Sequence, residues 1–271
     1  MFFLLVLFCF VIALTVQMMW LYLYLFLSLP FLMFFSSSFL PFFFSPFSPF
    51  LFFLLFLLLL VQGVSLLLIP KTTKGVSVRP MDCMGVKGSG TAYVEFDNAK
   101  VPKEFLIGDV TVLLMNFVTE RLGIAIQAAR FARVCLTESV AYCKRRVAFG
   151  KKLEDQPVVR YKLATMMREV EVTQAYIESI VYRVNITDQE GGDWFGALLR
   201  SGAEAALCKV QATRTFEHCA REAAHLHGGN SYVKGNRVEN LYRHVLSLAI
   251  PGGSEDVMVD SAARLALKGR L

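Results

Sequence analysis

Glu120 and Arg121 place a carboxylate and a guanidinium side by side in an apolar run, between Val118 and Leu122. A carboxylate beside an apolar stripe loses water, which raises its pKa and suits it to accept a proton. On an exposed helix the same two residues would be an ordinary surface pair. Arg146 stands at the end of a long periodic segment. There it can grip phosphate oxygens or simply face the helix dipole. Gly228-Gly229 lets the backbone approach a ligand closely, or merely stops a helix. Ser254, followed by Glu255 and Asp256, reads as an N-cap with acids in the first turn, and such a helix start favours negative charge. His225 and His227 are two apart, share no helical face and make a poor metal pair. The cysteines at 9, 83, 135, 143, 208 and 219 contain no CxxC pair and read as reduced core thiols. No metal site is expected.

These groups need elements to hold them. Residues 75–108 alternate apolar and polar, with Tyr93, Val94 and Phe96 between turn residues, and predict strands. From about Val110 the period changes. Leu114, Val118, Leu122, Ile126, Ala129, Ala132, Leu136, Val140, Cys143 and Val147 recur at steps of three and four, one stripe along a helix of roughly 35 residues. "AFGKKLEDQP" breaks it, and Pro157 suits the first turn of a second helix. A third helix is predicted from about Asp193 to Leu226, a short one near Val238–Leu246, and a last one after Ser254. The fold class is therefore mainly α. It is an antiparallel helical bundle over 109–271, preceded by a small β remnant over 71–108.

Residues 1–70 are a different material. No Asp, Glu, Lys or Arg occurs there, and the segment holds 17 of the 24 phenylalanines. Met1–Ser28 is apolar enough to span a bilayer, and Lys71, Lys74 and Arg79 would then favour a cytoplasmic C-terminal side. It lacks the features of a secretory or transit peptide. Phe, Leu, Ser and Pro also come from pyrimidine-rich codons, so translated non-coding sequence is the competing reading. After residue 70 the net charge is +6, with Lys and Arg interleaved with acids. No basic block marks a nucleic-acid surface, so no nucleic-acid partner is expected. The mild excess suits an anionic ligand as well as it suits solvation.

Four segments, in order, resemble the acyl-CoA dehydrogenase family over about residues 75–268. "VKGSGTAYVEFDNAKVPKEFLIG" is similar to the closing strands of its middle β-domain. "RRVAFGKKLEDQP" resembles its Arg-x-x-Phe-Gly signature. "LHGGNSYVKGNRVENLYR" resembles a stretch normally ending Gly-Gly-x-Gly-Tyr, with Ser231 where glycine is usual. "AIPGGSEDVM" resembles its catalytic and flavin loop. The resemblance implies FAD as cofactor and an acyl-CoA thioester as substrate. The reaction is α,β-dehydrogenation, with electrons passed to an electron-transfer flavoprotein or another acceptor, in a homodimer or homotetramer of a mitochondrial or peroxisomal enzyme. Membrane association would follow if residues 1–70 are genuine.

The same resemblance assigns roles. Many members carry the base in the loop matching 250–254, but Gly252 holds that slot here. The isovaleryl and long-chain types instead place a glutamate before an arginine on the first long helix, which corresponds to Glu120. Arg146 and Phe149 would touch FAD across a subunit boundary. Gln156 would lie near the adenine, Gly228 and Gly229 near the phosphates, and Ser254 near the flavin. The family's N-terminal helical domain and most of its β-domain have no counterpart in the sequence. A truncated chain, inactive as written, is therefore the expectation. The alternative is a non-catalytic helical oligomerisation module, membrane-tethered if the N-terminus is real.

Overall fold

A computed structural model describes residues 65–268; Met1–Ser28 and the rest of the apolar segment up to residue 64 lie outside them. The described residues form two units, one of residues 65–82 and 89–113, the other of residues 83–88 and 114–268.

The first unit holds two antiparallel ribbons. β1 (Ser65–Leu67) pairs with β4 (Leu106–Asp109), and β2 (Val76–Pro80) pairs with β3 (Ala92–Phe96). The alternation around Tyr93 and Val94 accounts for β3. The pairing of Ser65–Leu67 brings residues of the apolar 1–70 segment into this β unit. Here Gly75 is required as glycine: its φ is +89°, and a Cβ would lie 2.2 Å from the Asp97 carbonyl oxygen.

The second unit is the bundle. α1 (Val110–Arg145) is the first long helix, which enters this unit at Leu114. β5 (Val147–Ala148) and β6 (Lys151–Lys152) form a hairpin where the stripe breaks. α2 (Pro157–Gln189) starts at the expected proline. α3 (Trp194–Arg200) and α4 (Gly202–His227) follow, then α5 (Arg237–Ala249) and α6 (Glu255–Ala266).

Cross-helix pairs give the directions. On α2 and α4, Lys162 meets Glu222, Glu169 meets His218, Thr173 meets Thr215 and Arg183 meets Glu204. One number rises as the other falls, so these helices are antiparallel. On α1 and α4, Phe131 packs on Phe216 and Tyr142 on His227; both numbers rise, so these two are parallel. The core lies between them. Ala125, Ala128, Ala132 and Cys135 of α1 and Ala205, Ala212, Cys219 and Ala220 of α4 are fully buried, and small side chains let the helices pack closely.

Two expectations need correcting. The single helix expected from Asp193 to Leu226 is two, broken at Ser201. The Ser201 hydroxyl bonds back to the Ala197 carbonyl, and Gly202 follows; a Ser-Gly pair of this kind favours a break. Ser254 occupies the N-cap position of α6, but its side chain makes no capping bond. By length and composition α1 also passes as a membrane span, yet Val118, Leu122, Ala129, Ala132, Leu136 and Cys143 of its stripe are packed into the bundle core. Leu114 and Ile126, expected on the same stripe, are exposed, and Val147 lies beyond the helix in β5.

Candidate functional site

α1 carries candidate groups near both ends. Glu120 and Arg146 are 26 positions apart, or ~39 Å at 1.5 Å per helical residue.

At the Glu120 end the carboxylate is half-buried, and its Oε2 is buried with no hydrogen-bond partner. Burial pushes its pKa up, against the pull of the positive charges of Arg121 and Lys209. Arg121 donates from Nε to the Gly252 carbonyl at 3.0 Å, and burial lowers its pKa against the opposing effect of Glu120. The Gly252 slot is tight: its φ is +68°, and a Cβ would lie 2.9 Å from Ile124 Cδ1 and 3.6 Å from Arg121 Cγ. A glutamate there would meet side chains already in place. Lys209, fully buried on α4, donates from Nζ to the Ala249 carbonyl and, at 2.9 Å, to the Gly253 carbonyl. Burial brings its pKa down to about 8; Glu255 raises it, Arg121 lowers it and Glu120 raises it. Glu255 itself accepts from Thr213 Oγ1 and Arg214 Nε. A carboxylate with a free buried oxygen, beside two cations engaged elsewhere, can accept a proton.

At the other end lies an open cleft of ≈ 400 Å³. Tyr142, Arg146, Leu153, Leu226, His227, Gly228, Gly229 and Asn230 line it. The structure thus brings together Arg146, Gly228 and Gly229, three of the residues singled out from the sequence. Gly228 has φ +58°, and a Cβ on either glycine would meet nothing within 4 Å. The backbone there is open to a ligand. The His227 ring stacks on Tyr142 at 4.4 Å, and its Nδ1 donates to the Ala223 carbonyl at 2.8 Å. Ser231, which stands where the family has glycine, donates to the carbonyls of Ala224 and Gly228 and so closes the turn.

Phe149 and Gln156 stand outside the cleft lining. Phe149 occupies the hairpin turn with Gly150 at φ +55° and +75°, both left-handed as a two-residue hairpin turn requires. It is 98% exposed. The Gln156 carbonyl accepts from the Val159 and Arg160 amides and starts α2. Ser254 is exposed at the Glu120 end. Among the described residues no cluster of three or more His, Cys, Asp or Glu could hold a metal ion.

Sequence reasoning missed Lys209, Tyr142 and Asn230. Lys209 had a signal, a lone lysine in the run Ala205-Ala206-Leu207-Cys208-Lys209-Val210. Tyr142 and Asn230 had none, because they are 88 positions apart and meet only through folding.

The helical unit thus has a half-buried carboxylate near one end of its first long helix and an open, glycine-edged cleft near the other. Residues 110–267 match the model of the acyl-CoA dehydrogenase C-terminal domain, and the chain belongs to that family. It is 38% identical over 214 residues to an acyl-CoA dehydrogenase of Emericella nidulans, a match covering 76% of this chain and 48% of that one. It is 26% identical to a subunit of a caffeyl-CoA reductase–Etf complex of Acetobacterium woodii, over 76% of this chain and 53% of that one. The crystal structure of a putative acyl-CoA dehydrogenase from Mycobacterium smegmatis superposes with a TM-score of 0.69 at 31% identity, covering 76% of this chain and 53% of that one. The chain spans about half the length of these relatives.

Proposed function

We propose that this chain serves FAD-dependent α,β-dehydrogenation of an acyl-CoA thioester, with Glu120 as the base. The observation that carries the reading is the unpartnered, buried Oε2 of Glu120. The raised pKa favours proton uptake, and Gly252 leaves the competing loop position without a carboxylate. Glu120 takes the α-proton onto Oε2. The chemistry FAD supplies when bound is acceptance of the β-hydrogen as hydride.

The residues of the cleft fit a nucleotide cofactor. Gly228 and Gly229 leave open backbone for phosphate oxygens, and Arg146 offers a guanidinium at the rim. Gln156 and Ser254 take lesser parts, near the adenine and near the flavin. Phe149, exposed at a hairpin tip, is suited to pack on a cofactor held by a second copy, which makes a homodimer or homotetramer the working assembly. An electron-transfer flavoprotein is the proposed acceptor, in line with the Etf complex of the Acetobacterium relative.

The test places residues 75–271 behind the N-terminal half of the Emericella relative. The chimera, loaded with FAD, should bleach anaerobically on adding acyl-CoA. Glu120→Gln in it should keep FAD and slow bleaching by ~10³-fold or more, as expected on removing an essential base. Near-normal bleaching in that variant would end the assignment.

A further inference from the structure

We propose that Lys209 is a positioning residue for the Glu120 site: together with Arg121 it ties the 249–253 loop by its backbone carbonyls and so leaves the Glu120 carboxylate without a partner. The functional meaning of this rests on the reading of Glu120 as base.

The loop is poorly determined by its own residues. Gly252 and Gly253 both adopt left-handed backbone, at φ +68° and +104°, and glycines lose the most freedom when fixed. Ala249 ends α5, so its carbonyl has no partner within the helix. Lys209 supplies what is lacking. Its ammonium reaches the carbonyls of Ala249 and Gly253, which bracket Ile250, Pro251 and Gly252. From the α1 side, Arg121 Nε takes the Gly252 carbonyl. Donors from two helices thus hold three carbonyls of one loop.

The consequence falls on Glu120. A carboxylate beside two cations would ordinarily pair with one of them, lose its free lone pairs and become a weaker proton acceptor. Here the side-chain hydrogen bonds of both cations go to backbone carbonyls, and among the described residues no ion pair joins Glu120 to Arg121 or Lys209. The other acid facing Lys209, Glu255, is held by Thr213 and Arg214. Arg121 and Lys209 therefore act on Glu120 through their charge, without occupying its Oε2. The balance leaves its pKa above the ordinary value yet restrained.

The experiment uses the full chain without flavin or substrate and two variants, Lys209→Met and Lys209→Gln. Amide exchange reports the loop, and ¹³C-carboxyl NMR reports the Glu120 midpoint, assigned with Glu120→Gln. Lys209→Met should speed exchange at residues 250–254 by ~10-fold or more while α2 is unchanged, because the ties are local. Lys209→Gln keeps a donor and loses the charge. It should hold the loop near wild-type protection and move the Glu120 midpoint upward. A purely structural lysine would alter exchange and leave that midpoint in place. If Lys209→Met does not fold, the Gln variant alone decides. An unchanged Glu120 midpoint in Lys209→Gln, or unchanged loop exchange in a folded Lys209→Met, overturns the proposal. Neither readout depends on turnover, so a failed base assignment in the bleaching test remains a separate result.

Discussion

The Glu120 end of α1 and the Arg146 end solve opposite problems. At the first, charge is taken out of water and its direct bonds are arranged within one chain. Arg121 and Lys209 bond to loop carbonyls, Glu255 to Thr213 and Arg214, and Glu120 Oε2 is left over. At the second, Leu226 and His227 are buried but the groups offered to a ligand remain in water. Arg146 and Phe149 are exposed, and Gly228 and Gly229 offer bare backbone to an open cleft. Folding completes the first end, whereas the second is left open, as the proposed cofactor site requires. A substitution at the buried end should therefore register as stability. Replacing an exposed side chain at the open end should register as binding, with stability almost untouched.

The largest effect is expected at Gly253, on the buried side. Its φ of +104° is strained for alanine, and a Cβ would lie 2.3 Å from Met258 Cε, so that side chain must shift. Met258 is itself buried, so it cannot swing into solvent. Gly253→Ala should cost about 2–4 kcal/mol, combining left-handed strain with overpacking, measured by urea unfolding. Gly228→Ala, in open space at the other end, has the backbone strain alone. If the two variants proved equally destabilised, the contrast between the ends would fail.

The pH dependence of stability sharpens the contrast next. The pKa of Lys209 lies at about 8 in the folded chain against 10.5 for an ordinary lysine. Between those values the unfolded chain holds the proton and the folded chain does not, so stability rises with pH by about 1.4 kcal/mol per unit. Lys209→Met should flatten that rise. Glu120 has the opposite sign. Its pKa is raised on folding, so its contribution is full below the ordinary carboxylate range and is lost as pH climbs through the folded value. Glu120→Gln should make the chain more stable at neutral pH, and a less stable variant would contradict the burial of an unpaired carboxylate.

The smallest effects on stability belong to the open end. Arg146→Ala should leave unfolding within about 0.5 kcal/mol of wild type. It should weaken FAD binding by ~10–100-fold, the weight of a charge-assisted hydrogen bond, read by flavin fluorescence. Phe149→Ala should be equally silent in unfolding, because the ring is 98% exposed, while sedimentation should show weaker self-association.

The sequence alone carried the order of the long helices, the proline start of α2 and the first long helix, whose stripe it ran two residues past the observed end, into β5. Three-and-four periodicity states locally which face of a helix avoids water, and no distant residue is needed to read it. Glu120 and Gly252 were singled out through the family resemblance, and the structure places Gly252 against Arg121, the residue after Glu120. The break at Ser201 escaped because the apolar stripe continues across it and the serine's back-bond to Ala197 leaves no periodic trace. Only the tertiary structure decided which donor meets which acceptor. Arg121 and the Gly252 carbonyl are 131 positions apart, and Lys209 reaches Ala249 and Gly253 across 40 and 44. Backbone carbonyls are the same at every residue, so no residue type marks the ones that bond. That Glu120 keeps an unpaired oxygen is likewise a property of the packed state, in which Arg121 Nε and Lys209 Nζ bond to loop carbonyls.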